Sequence, residues 1–124
     1  MNLVDTSIWV DHLRTGDPHL AHLLNQGMVS IHSFVLGEIA CGSLHDRSDI
    51  SLLSDLPAAI VASEPEILAF IERHSLYGRG IGYVDVNLLA SAMLSPGTRL
   101  WTRDERLAAT ASQLRLEYQP PPAH

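Results

Sequence analysis

The sequence predicts an α/β protein with a mostly parallel sheet, and three observations carry that prediction. Short apolar runs alternate along the chain with longer stretches whose apolar residues recur at three- and four-residue spacing. The first run, Leu3-Val4, stops at once on Asp5, and Thr6-Ser7 then offer hydroxyls suited to helix capping. Gly and Pro punctuate the boundaries, as at Thr15-Gly16, Gly27, Pro57 and Pro96-Gly97. Strands joined by right-handed helical crossovers place helices on both faces of such a sheet.

The elements follow in order. Leu3-Val4 is the first strand, and residues 8–14 form a helix with Trp9 and Leu13 on one face. Asp17-Pro18 opens a second helix, a cap followed by Pro at the first helical position, and Gly27 closes it. Met28 to Ile31 is the second strand. Residues 34–44 are helical, with Glu38 beside Val35 and Ile39, so its charge requires a partner. Residues 46–56 form a helix closed by Pro57, and Ala59 to Ala62 the third strand. Ser63 and Glu66 match a capping box for a helix reaching Leu76. A loop of alternating glycines, Gly78-Arg79-Gly80-Ile81-Gly82, leads into an apolar helix over 83–95, with Asp85 in its first turn. Leu100 to Thr102 is the fourth strand, and Asp104 caps a final helix with Leu107, Ala108, Ala111 and Leu114 inside. Leu116 to Tyr118 form a short fifth strand, so one domain spans 1–118 and residues 119–124 form a Pro-rich disordered tail.

Composition limits the function. The 124 residues, 46% hydrophobic, suit a single domain with a real core. No apolar run approaches the ~18–20 residues of a membrane span. Asp5 and Asp11 interrupt any signal-peptide core, so the chain reads as cytoplasmic with no membrane segment. A single cysteine, Cys41, excludes an internal disulfide and a multi-cysteine zinc site, and its apolar neighbours predict a buried thiol. The net charge of −6 argues against nucleic acid as partner. That objection weakens if four of the 14 acids face a metal, which leaves ten acids against eight basic residues. All eight are Arg. Without Lys there is no Walker-A phosphate site, and a phosphoacceptor domain of the receiver type lacks its usual phosphoryl-binding group.

The chemistry lies in the acids. Asp5 ends the first strand, Asp104 follows the fourth, Glu38 lies two turns past the second, and Asp85 opens the helix after the glycine loop. In a parallel sheet these points can share the carboxyl edge, where ligands bind. Each acid also fits a plain structural role: Asp5 and Asp104 as caps, Asp85 against a helix dipole, Glu38 in an ion pair. Four like charges in one crevice need a cation. Hard oxygen donors without a Cys or His cluster point to Mg²⁺ or Mn²⁺, which can activate water for in-line phosphoryl displacement. His12, His19 and His22 read as exposed surface residues, and Trp9 and Trp101 as core or subunit contacts. Arg79, between two glycines, is a candidate phosphate contact.

Leu3-Val4-Asp5-Thr6-Ser7, Phe34 to Glu38, Gly80-Ile81-Gly82-Tyr83-Val84-Asp85 and Leu100-Trp101-Thr102-Arg103-Asp104 together resemble a PIN-domain nuclease, specifically a VapC-type toxin. The resemblance implies a three-layer α/β/α sandwich with strand order 3-2-1-4-5. It also implies a Mg²⁺-dependent endoribonuclease, a homodimer, neutralised by a cognate VapB-type antitoxin. Asp5, Glu38, Asp85 and Asp104 match the family's acidic quartet, Thr102 its Thr-x-Asp threonine, and Ser7 a hydroxyl that supports the first Asp. Arg106 departs from the pattern, standing where many relatives carry a further Asp. A catalytically inactive RNA-binding module is the alternative function, and it has no need of all four acids.

Overall fold

The structure is a computed structural model and describes residues 1–122. Its elements are β1 (Asn2–Val4), α1 (Thr6–Thr15), α2 (Pro18–Asn25), β2 (Val29–Ser30), α3 (Ser33–Cys41), α4 (Asp49–Ser54), α5 (Glu64–His74), α6 (Tyr83–Leu94), β3 (Arg99–Trp101) and α7 (Glu105–Gln113). The three strands form a parallel sheet in the order β2-β1-β3. Asn2 stands opposite Val29 on one side and Arg99 on the other, and Val4 stands opposite Trp101. β1 is thus central, and Leu3 and Val4 are fully buried. Helices α1, α3 and α4 pack together, while α5 packs on α6 and α6 on β3. Right-handed crossovers place these groups on opposite faces, which gives the three-layer α/β/α sandwich.

The outer strands are shorter than the sequence predicts. Isolated parallel bridges, Ile31 to Ala58 and Leu100 to Glu117, flank β2 and β3. They lie on the sides where the order 3-2-1-4-5 puts the third and fifth strands, but each is a single pairing, so only the central three strands of that order form. The third strand, predicted over 59–62, leaves the sheet after the Ala59 N–H donates to the Ile31 carbonyl at 2.8 Å. Beyond it Ile60 and Val61 are about half exposed, at 50% and 48%, and the Ile60 carbonyl accepts from the Ser91 hydroxyl instead. At the other edge the Tyr118 N–H reaches the Leu100 carbonyl at 2.8 Å, and Pro120-Pro121-Pro122 then offer no donor to continue the ladder. Gln119 to Pro122 carry no regular structure and line an open cleft with His19, His22 and Trp101. The remainder of the predicted tail, Ala123 and His124, lies outside the described residues.

Local chemistry moves several boundaries. The helix predicted to begin at Asp46 starts at Asp49, because the Asp46 carboxylate accepts from the Ser48 N–H at 2.9 Å and its hydroxyl at 2.6 Å. That turn competes with helix. α3 stops at Cys41 rather than Leu44, and Arg47 donates to the freed Ala40 carbonyl at 2.9 Å. Cys41 is exposed, contrary to the buried thiol expected, because it ends the helix on the solvent side. The capping box of Ser63 and Glu66 forms as the sequence predicts. Trp9 and Trp101 are core residues, at 1% and 4% exposure. Among the surface histidines expected, His22 is exposed, but His12 is half-buried and its Nδ1 accepts from the Asp17 N–H at 2.9 Å. His19 is half-buried, stacked on Tyr118.

His32 is fully buried at the head of α3, where its Nδ1 accepts from the Phe34 N–H at 3.0 Å. The proton therefore sits on Nε2, which has no partner among the described residues. Burial lowers the His32 pKa below its ordinary 6.5. The folded state then resists protonation and the unfolded state does not, so stability falls as pH drops through that ordinary value. Melting curves from about pH 7.5 to pH 5.5 should show a loss of stability on acidification. The loss should shrink in His32→Asn, which keeps a capping acceptor. An equal loss in the variant would assign the acid sensitivity elsewhere.

Candidate active site

Asp5 stands one residue beyond the central strand. Its N–H donates to the Trp101 carbonyl at 2.9 Å, which extends the pairing of β1 with β3 to the carboxyl edge of the sheet. That register sets Asp5 beside Thr102. The Thr102 hydroxyl donates to Asp5 Oδ2 at 2.7 Å, and the Thr6 N–H donates to Asp5 Oδ1 at 2.8 Å. Both carboxylate oxygens are thus oriented, one by the helix that Asp5 caps and one by the neighbouring strand.

From Asp5 the contacts spread in two directions. The Asp104 N–H donates to Thr102 Oγ1 at 3.1 Å, and Asp104 Oδ1 accepts from the Leu107 N–H at 3.0 Å to cap α7. On the other side the Thr6 hydroxyl donates to Glu38 Oε1 at 2.7 Å. Glu38 is exposed rather than enclosed by its apolar neighbours, and its partner is a hydroxyl, not a cation. Thr6 is the contact that sequence reasoning missed. Asp5 itself takes the capping role of α1, which frees the Thr6 side chain to reach α3. Ser7 is exposed.

Asp85 enters from α6, where its Oδ2 accepts from the Gly82 N–H at 2.9 Å. Its carboxyl is held above the ordinary 3.8, first by burial and then by the negative charges of Asp5, Asp104 and Glu38, against the lowering effect of the Gly82 N–H. The charges of Asp5, Asp104 and Glu38 therefore reach Asp85 across the carboxyl edge, although the four acids come from four separate elements. The cap and the cluster are both present. Asp85 and Asp104 each give one oxygen to a backbone N–H and keep the other without a partner among the described residues.

This donor set fits a hard divalent cation. Among the described residues no three acids converge tightly enough to enclose an ion by themselves. Mg²⁺ does not require such a cage, because it keeps several waters and takes only one or two carboxylates directly. Arg79 faces its own chain: Nε donates to the Ser75 carbonyl at 3.0 Å, Nη2 to His74 at 3.4 Å, and Nη1 to the Gln113 side chain. Arg103 pairs with Asp11 and, at 3.0 Å, with Asp17, which ties the Thr102-Arg103-Asp104 segment to α1 and the start of α2.

Comparison with known protein families matches residues 3–113 to the PIN domain. Among curated proteins, the chain is similar to Ribonuclease VapC32 of Mycobacterium tuberculosis, in both strain CDC 1551 / Oshkosh and strain ATCC 25618 / H37Rv. Each is 44% identical over 114 residues, covering 91% of this chain and 92% of the relative.

Because Asp85 has a raised pKa, its ionised form works against folding at neutral pH, and the penalty disappears as pH falls through the carboxylate range. Asp85→Asn should therefore raise the melting temperature of the metal-free protein at pH 7, with the gain fading below about pH 4. Wild type should gain stability with Mg²⁺ by mass action, and the variant should lose most of that gain. An unchanged Mg²⁺ response in the variant would remove Asp85 from the ligand set.

Proposed function

The chain belongs to the PIN-domain family, and from that premise we propose that it is a divalent-metal-dependent endoribonuclease, the toxin of a toxin–antitoxin pair. The observation that carries the reading is the placement of four acids at one sheet edge: Thr102 links Asp5 to Asp104, Thr6 reaches Glu38, and Asp85 feels the charges of the other three. The choice of RNA over DNA is supported by the relatives, which are named ribonucleases.

Asp5 and Asp85 would hold the ion, Mg²⁺ or Mn²⁺, and Glu38 and Asp104 would complete its site. The ion, when bound, lowers the pKa of a water and stabilises the charge of an in-line displacement at phosphorus. Thr102 keeps Asp5 in one orientation and ties it to the segment that carries Asp104. Ser7 lies at the same helix start as an accessory hydroxyl. Cleavage by water leaves 5′-phosphate and 3′-hydroxyl ends and does not use the 2′-hydroxyl of the substrate.

The partners in this reading are RNA, a cognate VapB-type antitoxin and a second copy of the chain in the cytoplasm. Among the described residues no helix is long and apolar enough to cross a membrane. Leu68 on α5, with Met93 and Leu94 on α6, are 53%, 40% and 43% exposed, apolar surface that a homodimer can bury. An antitoxin segment suits the acidic edge if it brings an Arg to the carboxylates.

Cleavage of single-stranded RNA should require Mg²⁺ or Mn²⁺, stop with EDTA and yield 5′-phosphate ends. Cyclic 2′,3′-phosphate ends, or activity that survives exhaustive chelation, would refute the mechanism. Thr102→Ala should reduce metal affinity or activity by roughly 10- to 100-fold through the loosened Asp5, while Thr102→Ser restores most of it. Expressed from its native operon, the chain should co-purify with the neighbouring gene product, and light scattering should show a dimer. An active lone monomer indifferent to that product would count against the assigned partners.

A further inference from the structure

Arg106 stands in the second position of α7, two residues past Asp104. It is exposed, and its guanidinium has no ion-pair or hydrogen-bond partner among the described residues. The other arginines next to the site are occupied: Arg79 by its own chain, Arg103 by Asp11 and Asp17. Nor is Arg106 among the influences on Asp85, which are burial, the Gly82 N–H and three carboxylates.

Its position is set by a glycine. A Cβ on Gly80 would lie 2.5 Å from Arg106 Nη1, 2.8 Å from its Cδ and 3.1 Å from its Cζ. Gly80 also has φ +74, a conformation that L side chains rarely adopt. The side chain of Arg106 therefore lies directly on the backbone of the Gly80-Ile81-Gly82 segment, whose last N–H orients Asp85. One contact joins the approach to α6, which carries Asp85, with the start of α7, which Asp104 caps. The result is an uncommitted guanidinium on the rim of an acidic site, in a chain with net charge −6.

We propose that Arg106, seated on Gly80, binds a backbone phosphate of the RNA strand next to the scissile bond. The inference rests on the ribonuclease reading above. The acids and their ion act on the scissile phosphate, but a neighbouring phosphate meets the same negative field without an ion of its own. A planar, permanently charged donor at the rim answers that repulsion and fixes the register of the strand. On this reading the residue that departs from the acidic pattern of the family substitutes substrate binding for a further carboxylate.

The test measures binding of a fluorescent single-stranded RNA by anisotropy as a function of salt, with Mg²⁺, in an Asp5→Asn background that suppresses cleavage. Arg106→Ala should weaken binding on the order of tenfold and flatten the log–log salt slope by about 0.7, one phosphate contact on a single strand. Arg106→Lys should keep the slope, and Arg73→Ala, on α5, should change neither quantity, which excludes an effect of overall charge. Gly80→Ala should weaken binding more in the Arg106 background than in Arg106→Ala, because in the latter the added methyl strains the backbone at φ +74 but has no guanidinium to displace. If Arg106→Ala binds RNA with the affinity and slope of its parent, the proposal is overturned while the ribonuclease reading stands. It is equally overturned if Arg106→Ala weakens only the capture of the antitoxin. A parent protein that binds no RNA at all overturns both.

Discussion

Electrostatic repulsion among four carboxylates is the constraint around which the carboxyl edge is built. The chain manages it with neutral donors before any cation is considered. Asp5, Asp85 and Asp104 each accept a backbone N–H at the start of a helix, where the helix dipole also favours negative charge. Thr6 and Thr102 add hydroxyl donors to Glu38 and Asp5. These donors orient oxygens without cancelling charge, so the edge stays negative, as the cation proposed above requires. An arginine turned inward would have stabilised the fold more simply, but it would fill the place that the proposed function assigns to an ion.

The sheet supplies the rigid part of this arrangement. β1 is buried, paired on both sides, and carries Asp5 at its end. The edges carry less of the burden and shorten to single bridges. Positional accuracy is thus concentrated at the Asp5–Thr102 contact, while Glu38 and Asp104 are exposed on helices that attach through hydroxyls. Sites on central elements are held more closely than sites on loops, and the acids grade from fixed to adjustable accordingly.

Much of this was legible in the sequence because three of the four acids, Asp5, Asp85 and Asp104, occur at element boundaries. Leu3-Val4-Asp5 and Leu100-Trp101-Thr102 show where strands end, and Gly82 followed by Asp85 shows where a helix begins. Local patterns failed where tertiary context decided. Ala59 to Ala62 has strand character, yet nothing among the described residues pairs with its outer side and Ser91 draws the Ile60 carbonyl away. Asp46 suits a helix start, but its carboxylate closes a turn on Ser48 first. Cys41 lies among apolar letters but at the end of a helix, where rotation turns it outward. The Thr6–Glu38 hydrogen bond joins residues 32 apart, and no spacing rule reveals such a pair.

The hydrogen bond between Thr102 and Asp5 joins residues separated by 97 positions. During synthesis the ribosome delivers Asp5, Glu38 and Asp85 long before the segment that pairs β1 on its second side. Until then the future centre of the sheet has an open edge, and the acids lack Thr102 and Asp104. Such topology folds late and cooperatively. Under the ribonuclease reading proposed above, the order of translation would act as a safeguard, because a nascent or prematurely ended polypeptide would lack the contact that joins Asp5 to Thr102 and the segment carrying Asp104.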